Sequence, residues 1–266
     1  MHAHAVALLQ LETDLRLAIE REEFRILFQP VISLRTGRVA GLEALVRWEH
    51  PQRGLVSPDD FLTMAEETGL VVPMGNWVLR QACRRLAEWR RDNPGAVDVT
   101  ISVNLSARQF VHPDLVPLVT DALEESGLPA RCLRLEFTES VLIEREEPVI
   151  ETFAKLHALG IRLDLDDFGT GYSSLGYLHR FDLDGLKIDR SFVSNIGPNG
   201  ERAEIVRTIV ALANNLGMEV IAEGVETQAQ LAVLQGAECD LVQGYLFGGA
   251  LSAEEMGERL AGGVLV

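Results

Sequence analysis

From Val97 to the C-terminus, short apolar segments with the period of an extended chain alternate with longer segments of helical period, and this alternation limits the fold more than any other feature. Strands are expected near Val97 to Leu105, Leu133 to Thr138, Ile161 to Asp166, Gly185 to Asp189, Met218 to Ala222 and Leu241 to Phe247. Helices are expected between them, near Pro113 to Ser126, Pro148 to Leu159, Glu201 to Leu216 and Gln228 to Leu234, with a short one after Ser173 and a last one near Ala253 to Leu260. Strands that alternate with helices pair in parallel, because each helix carries the chain back to the end where the next strand starts.

The part before Val97 breaks that rhythm. Leu11, Leu15, Ala18 and Ile19 predict an amphipathic lead-in helix from Leu11 to Glu23, and residues 1–10 read as a linker or cloning remnant whose two histidines are incidental. Phe24 to Leu34 and Val39 to Trp48 flank the turn Arg35-Thr-Gly-Arg38 and read as an antiparallel hairpin. Ser57-Pro-Asp-Asp60 starts a helix that closes near Gly69, and a second helix runs from about Pro73 to Arg91, ended by Asn93-Pro-Gly95. With the hairpin this makes about eight strands in one domain over residues 11–266. The expected fold class is therefore α/β, a TIM-like (β/α)8 barrel with one antiparallel strand from the N-terminal hairpin.

In such a barrel the active site lies at the C-terminal ends of the strands. Those ends carry Glu43, Asn104, Glu136, Asp166 with Asp167, Lys187 with Asp189, Glu223 with Glu226, and Gln243, each in an otherwise apolar segment. A single buried carboxylate is commonly structural, and Asp167 alone would read as a cap of the following turn. Several carboxylates at one mouth cannot all ionise without cationic compensation, and Lys187 with Arg47 does not balance them. A divalent metal is the expected remainder. The candidate ligands are all hard oxygen donors, which suits Mg2+ or Mn2+ and argues against zinc. Two ions bridged by one aspartate are the usual device for attack on a phosphodiester, although an enolase-like or other Mg2+-lyase barrel fits this composition almost as well.

Composition narrows the partners. A net charge of −16 argues against a nucleic-acid polymer, since such binders carry a basic patch. No apolar run approaches the ~20 residues of a membrane helix and no signal peptide is visible. The three cysteines are widely spaced and read as reduced thiols, so a cytoplasmic location is expected.

The same residues carry a family pattern. Leu42-Glu-Ala-Leu-Val-Arg-Trp48 resembles the signature that names the EAL domains, cyclic di-GMP phosphodiesterases. Phe28-Gln-Pro30, Ser102-Val-Asn-Leu-Ser106, Leu135-Glu-Phe-Thr-Glu-Ser140, Asp166-Asp-Phe-Gly-Thr-Gly-Tyr-Ser-Ser174, Leu186-Lys-Ile-Asp-Arg-Ser-Phe192, Ala222-Glu-Gly-Val-Glu226 and Val242-Gln-Gly-Tyr245 resemble the remaining motifs, in order. The resemblance implies hydrolysis of cyclic di-GMP to linear pGpG with two Mg2+ or Mn2+ ions and inhibition by Ca2+.

Carried over, it puts one ion on Glu43, Asn104, Glu136 and Asp166, and the second on Asp166 and Asp167. Glu223 would serve the metal and water network as ligand or base, and Lys187 would position water or a phosphate oxygen, with Asp189 close by. Gln29, Arg47 and Gln243 would contact substrate or orient ligands. Glu226 would support Glu223, and Glu139 would tie down the loop from Phe168 to Ser174 through Thr170, Ser173 or Ser174. Two departures from the pattern, Gly248-Gly-Ala250 and Asp182, lie outside the metal set. The resemblance also implies fusion to a GGDEF or sensor domain in a longer parent and allows a homodimer. The competing expectations are a receptor that binds cyclic di-GMP without cleaving it and an interaction barrel, which leaves the carboxylates unexplained.

Overall fold

A computed structural model describes residues 2–144, 146–169, 178, 180–197 and 202–262. Helix α1 (His2–Glu20) leads into β1 (Phe24–Ser33), which pairs antiparallel with β2 (Val39–His50) from Phe24 opposite Trp48 to Ile32 opposite Val39. Seven parallel neighbours then follow around the barrel: β2, β4 (Thr100–Asn104), β5 (Leu133–Thr138), β6 (Arg162–Phe168), β7 (Gly185–Ile188), β8 (Glu219–Ala222) and β9 (Leu241–Val242). β1 closes the ring, antiparallel to both β2 and β9. The short β3 (Gly54–Val56) only extends the far end of β2 and stays outside the ring. The expected mixed eight-stranded barrel is thus present.

Several boundaries differ from the sequence reading. The lead-in helix starts at His2 instead of Leu11, so the stretch read as linker is helical, and it stops at Glu20. The strand expected over Leu241 to Phe247 keeps only Leu241–Val242, because the chain then folds onto the preceding loop: Val225 N–H donates to Gln243 O at 3.0 Å and Leu246 N–H to Val225 O at 3.0 Å. The strand expected from Val97 starts at Thr100, after a single 3-10 turn over Pro94–Ala96. The short helix expected after Ser173, along with Thr170, Ser173 and Ser174, lies outside the described residues.

The main core lies between the strands and helix α3 (Val71–Asp92) with the helices that follow, whereas α2 (Pro58–Thr68) packs elsewhere. A second cluster, including Leu15, Phe24, Trp48, Phe61 and Met74, seats α1 against the end of the hairpin. The polar members of each alternating strand point into the barrel. In β5 Leu133, Leu135 and Phe137 join the outer core, whereas Arg134 is 3% exposed and Glu136 1% exposed. The lumen is therefore a stack of polar layers on one side, with an apolar patch of Val31, Ile221 and Leu241 on the other.

A buried charge in such a place survives only if paired. Below the mouth Arg134 makes a two-pronged bond to Asp164, one arm at 2.8 Å, and reaches Glu219 at 2.5 Å. Burial disfavours the charge on that guanidinium, but Asp164 and Glu219 outweigh it and hold its proton more firmly than usual.

Candidate active site

One layer above Arg134, the inward side chains converge on the ammonium of Lys187. Its Nζ lies 2.6 Å from Glu136 Oε2, 2.7 Å from Glu223 Oε1, 3.2 Å from Asp166 Oδ1 and 3.6 Å from Glu43 Oε2. The parallel register makes this convergence possible: Glu136 of β5 sits beside Asn104 of β4, and Lys187 of β7 beside Ile221 of β8, so residues from distant parts of the chain share one level.

Each carboxylate has a distinct setting. Glu43 accepts from Asn104 Nδ2 at 2.7 Å and from Gln243 Nε2 at 2.5 Å. Burial raises its proton affinity, but Lys187 and these two amides outweigh that and keep it below the ordinary value. Glu136 shows the opposite balance. Burial dominates, Lys187 offsets only part of it, and Glu43, Asp166 and Asp164 add repulsion, so its affinity for a proton is well above ordinary. For Lys187 itself burial favours the neutral amine, yet Asp166, Glu136, Glu223 and Glu43 together hold the proton on.

Two consecutive residues of a regular strand point to opposite faces, so Asp166 and Asp167 need a device to act together. The device is a bulge. Leu165 pairs with Leu186 and Phe168 with Ile188, so both aspartates stand against Lys187 alone. Asp167 adopts φ 53°, a left-handed conformation uncommon for a residue with a side chain, and its N–H donates to Asp166 Oδ1 at 2.8 Å.

One carboxylate oxygen from each of Asp166, Asp167 and Glu223 then lies within 4.8 Å of the others. Burial pushes Glu223 up to about 7, with Asp166 and Glu43 repelling its charge against the pull of Lys187, and it pushes Asp167 up to about 6, aided by Asp166 and Asp189. Crowded oxygen donors that retain protons for want of positive charge are the donor chemistry of a hard divalent cation, whose binding releases those protons. The residues present fit such an ion.

Other expected residues fall into place unevenly. Gln29 of β1 is half-buried directly across from Glu43 in the hairpin register. Arg47 is half-buried and donates to Val46 O at 2.8 Å; burial lowers its hold on the proton, and the charge of Glu43 works against that. Gln243 and Asn104 act on Glu43 instead of pointing outward. Glu139 Oε1 accepts from the Gly169 N–H at 3.0 Å, at the start of the loop it was expected to hold. Asp189 accepts from Ser191 N–H at 3.0 Å and so caps the helix Arg190–Ser194. Glu226 was expected to support Glu223. It is exposed, and among the described residues no hydrogen bond joins the two side chains; its backbone N–H donates to Gln230 Oε1 at 2.8 Å.

Sequence reasoning missed two features. Tyr245 stands at the mouth with 77% of its surface exposed, although its motif was in view. A cavity of about 720 Å³ also opens beside Asp166 and Asp167, walled by Leu62, Met74, Arg108 and Gln109 among others. Its walls combine motif residues such as Val46, Asn104 and Thr138 with helix residues such as Leu62 and Met74 that only the closed fold brings beside them.

Comparison with known proteins gives consistent results. Residues 12–250 match the family model described as the EAL domain. The chain is 44% identical over 256 residues to the bifunctional diguanylate cyclase/cyclic di-GMP phosphodiesterase MucR of Pseudomonas aeruginosa, covering 96% of this chain and 37% of that protein. It is 44% identical over 252 residues to the cyclic di-GMP phosphodiesterase NbdA of the same organism, covering 95% of this chain and 32% of that one. Among solved structures, the PaMucR phosphodiesterase in complex with c-di-GMP superposes with a TM-score of 0.87 at 44% identity, covering 93% of this chain and 99% of that one. The chain spans about a third of the length of the curated relatives it matches.

Proposed function

Because the chain belongs to the EAL domain family, we propose that it is a metal-dependent phosphodiesterase that hydrolyses cyclic di-GMP to linear pGpG. The observation that carries this reading is the convergence of Asp166, Asp167 and Glu223 beside a ring of Glu43, Asn104 and Glu136, all of them oxygen donors. Glu43, Asn104, Glu136 and Asp166 would hold one Mg2+ or Mn2+, and Asp166, Asp167 and Glu223 the other. The ions supply neutralisation of the phosphoryl charge and acidification of water.

The chain's own groups do the rest. Glu223 would serve the metal and water network as a ligand or as the acceptor of a proton from the attacking water. Lys187 lies within 2.7 Å of it and keeps a positive charge where negative charge develops on a phosphate oxygen. Asn104 and Gln243 fix both oxygens of Glu43, so the ligand is oriented before substrate arrives. Gln29, across from Glu43, and Arg47, four residues beyond Glu43 on β2, would meet the dinucleotide, and the cavity by Asp167 has the volume to take one guanine. Glu139 would steady the loop after Asp167.

Among the described residues no helix is long and apolar enough to cross a membrane. The reading places the protein in the cytoplasm, where its three buried cysteines stay reduced, and attached to further domains such as GGDEF in a longer parent, with a homodimer as a further arrangement to test.

Incubation with cyclic di-GMP followed by chromatography of the nucleotides tests the proposal. pGpG is expected with Mg2+ or Mn2+ and none with excess chelator or with Ca2+, whose longer bonds and looser geometry misplace the reacting groups. Cyclic di-GMP that binds but returns intact would make the domain a receptor. Equal turnover in chelator would remove metal from the account.

A further inference from the structure

Two of the turns that carry candidate ligands lean on one short helix, and both do so through glycine. The helix Arg190–Ser194 follows β7 directly. On one side of it lies Gly169, two residues past Asp167, with φ 96°; a Cβ there would sit 2.7 and 2.8 Å from the Cε2 and Cζ atoms of Phe192. On the other side lies Gly224, next to Glu223, with φ 68°; a Cβ there would sit 2.6 Å from Arg190 Cβ. At both positions the left-handed backbone and the close approach make the same demand, a residue without a side chain. Contacts this tight leave neither turn room to move toward the helix.

We propose that the helix Arg190–Ser194 is a wedge that sets the distance between the Asp167 and Glu223 carboxylates, with Phe192 as the positioning residue for Asp167. Asp167 sits at φ 53°, a conformation that persists only where its surroundings enforce it. The enforcement comes from two directions. Glu139 holds the Gly169 N–H at 3.0 Å, and the end of the Phe192 ring blocks the direction in which a side chain would leave the same residue. Without that ring the turn can relax toward the helix and change the distance from Asp167 to Glu223. A small divalent cation demands near-ideal octahedral geometry at about 2.0–2.1 Å, so a shift of a few tenths of an ångström in one carboxylate weakens its binding. Arg190 approaches Gly224 most closely with its Cβ and Cα, a contact that nearly any residue supplies, whereas the reach to Gly169 belongs to the Phe192 ring. Phe192 is therefore the informative position.

The wedge rests on reading the ring as a divalent-ion centre, so its test reads ion binding apart from turnover. Mn2+ is titrated calorimetrically into metal-stripped wild type, Phe192→Ala and Phe192→Met, with thermal unfolding and steady-state kinetics in parallel. Phe192→Ala is expected to bind Mn2+ on the order of tenfold more weakly and to lose kcat with little change in KM. Phe192→Met, whose flexible side chain restores the reach, is expected to recover most of both. If Phe192→Ala does not fold, Phe192→Leu carries the same expectation, since it keeps bulk near the backbone and loses the ring's reach. Wild-type Mn2+ affinity and kcat in the shortened variant, with only a lower Tm, would overturn the wedge. Wild type that binds no Mn2+ would overturn the ion-centre reading, and the wedge with it.

Discussion

Replacing Asp166 by asparagine lowers turnover of cyclic di-GMP on the order of a thousandfold or more, while the protein still folds. Asp166 is the residue that the proposed sites share, and it also faces Lys187 at 3.2 Å and receives the Asp167 N–H at 2.8 Å. Asparagine keeps the shape and an acceptor for that N–H but removes the charge that two cations would share. The fold survives because removing one carboxylate from a like-charged ring relieves repulsion in the metal-free protein. Glu43→Ala should behave similarly, since it deletes the carboxylate that Asn104 and Gln243 were arranged to hold. Circular dichroism and steady-state kinetics on the two variants check this. Near-normal turnover in either would mean that the chemistry lies elsewhere.

The second large effect is on stability. Lys187→Met in chelator should destabilise the protein by about 3 kcal/mol or more, because it strands Glu136, Glu223 and Asp166 in a buried layer without their shared cation. Glu136 and Glu223, whose proton affinity burial already raises, would then take up protons in the folded state at pH values where the unfolded chain has released them. With folded affinities raised above unfolded ones, the deficit grows as pH rises above the ordinary carboxylate range and shrinks as pH falls toward it. Mn2+ should restore part of the loss by supplying the missing charge. Urea unfolding at pH 5.5 and pH 8, with and without Mn2+, measures all of this. Wild-type stability for the variant in chelator at pH 8 would show that the ring does not depend on Lys187.

The barrel was legible because its strands and helices differ in period, and the hairpin because Arg35-Thr-Gly-Arg38 separates two apolar runs. Glu43, Glu136 and Asp166 were legible as polar residues set in apolar strands. What escaped depends on three dimensions. Arg134 of Leu133–Thr138 was not singled out, because its partners Asp164 and Glu219 stand on other strands and meet it only in the closed lumen. The bulge that turns Asp167 beside Asp166 is a matter of register with β7, which no local pattern in β6 announces. Lys187 was read as a group that positions water or phosphate; the structure also makes it the counter-ion around which the ring is built. Glu226 shares a motif with Glu223 but faces solvent, since a turn follows β8 and the period of the strand no longer holds there.

The central claim is that this ring is a two-ion centre, and anomalous scattering from crystals grown with Mn2+ tests it most directly. The account predicts two peaks about 3.5–4 Å apart, one among Glu43, Asn104, Glu136 and Asp166 and one among Asp166, Asp167 and Glu223. Crystals that bind Mn2+ elsewhere or not at all, with the Lys187 ammonium still spanning the carboxylates, would contradict it.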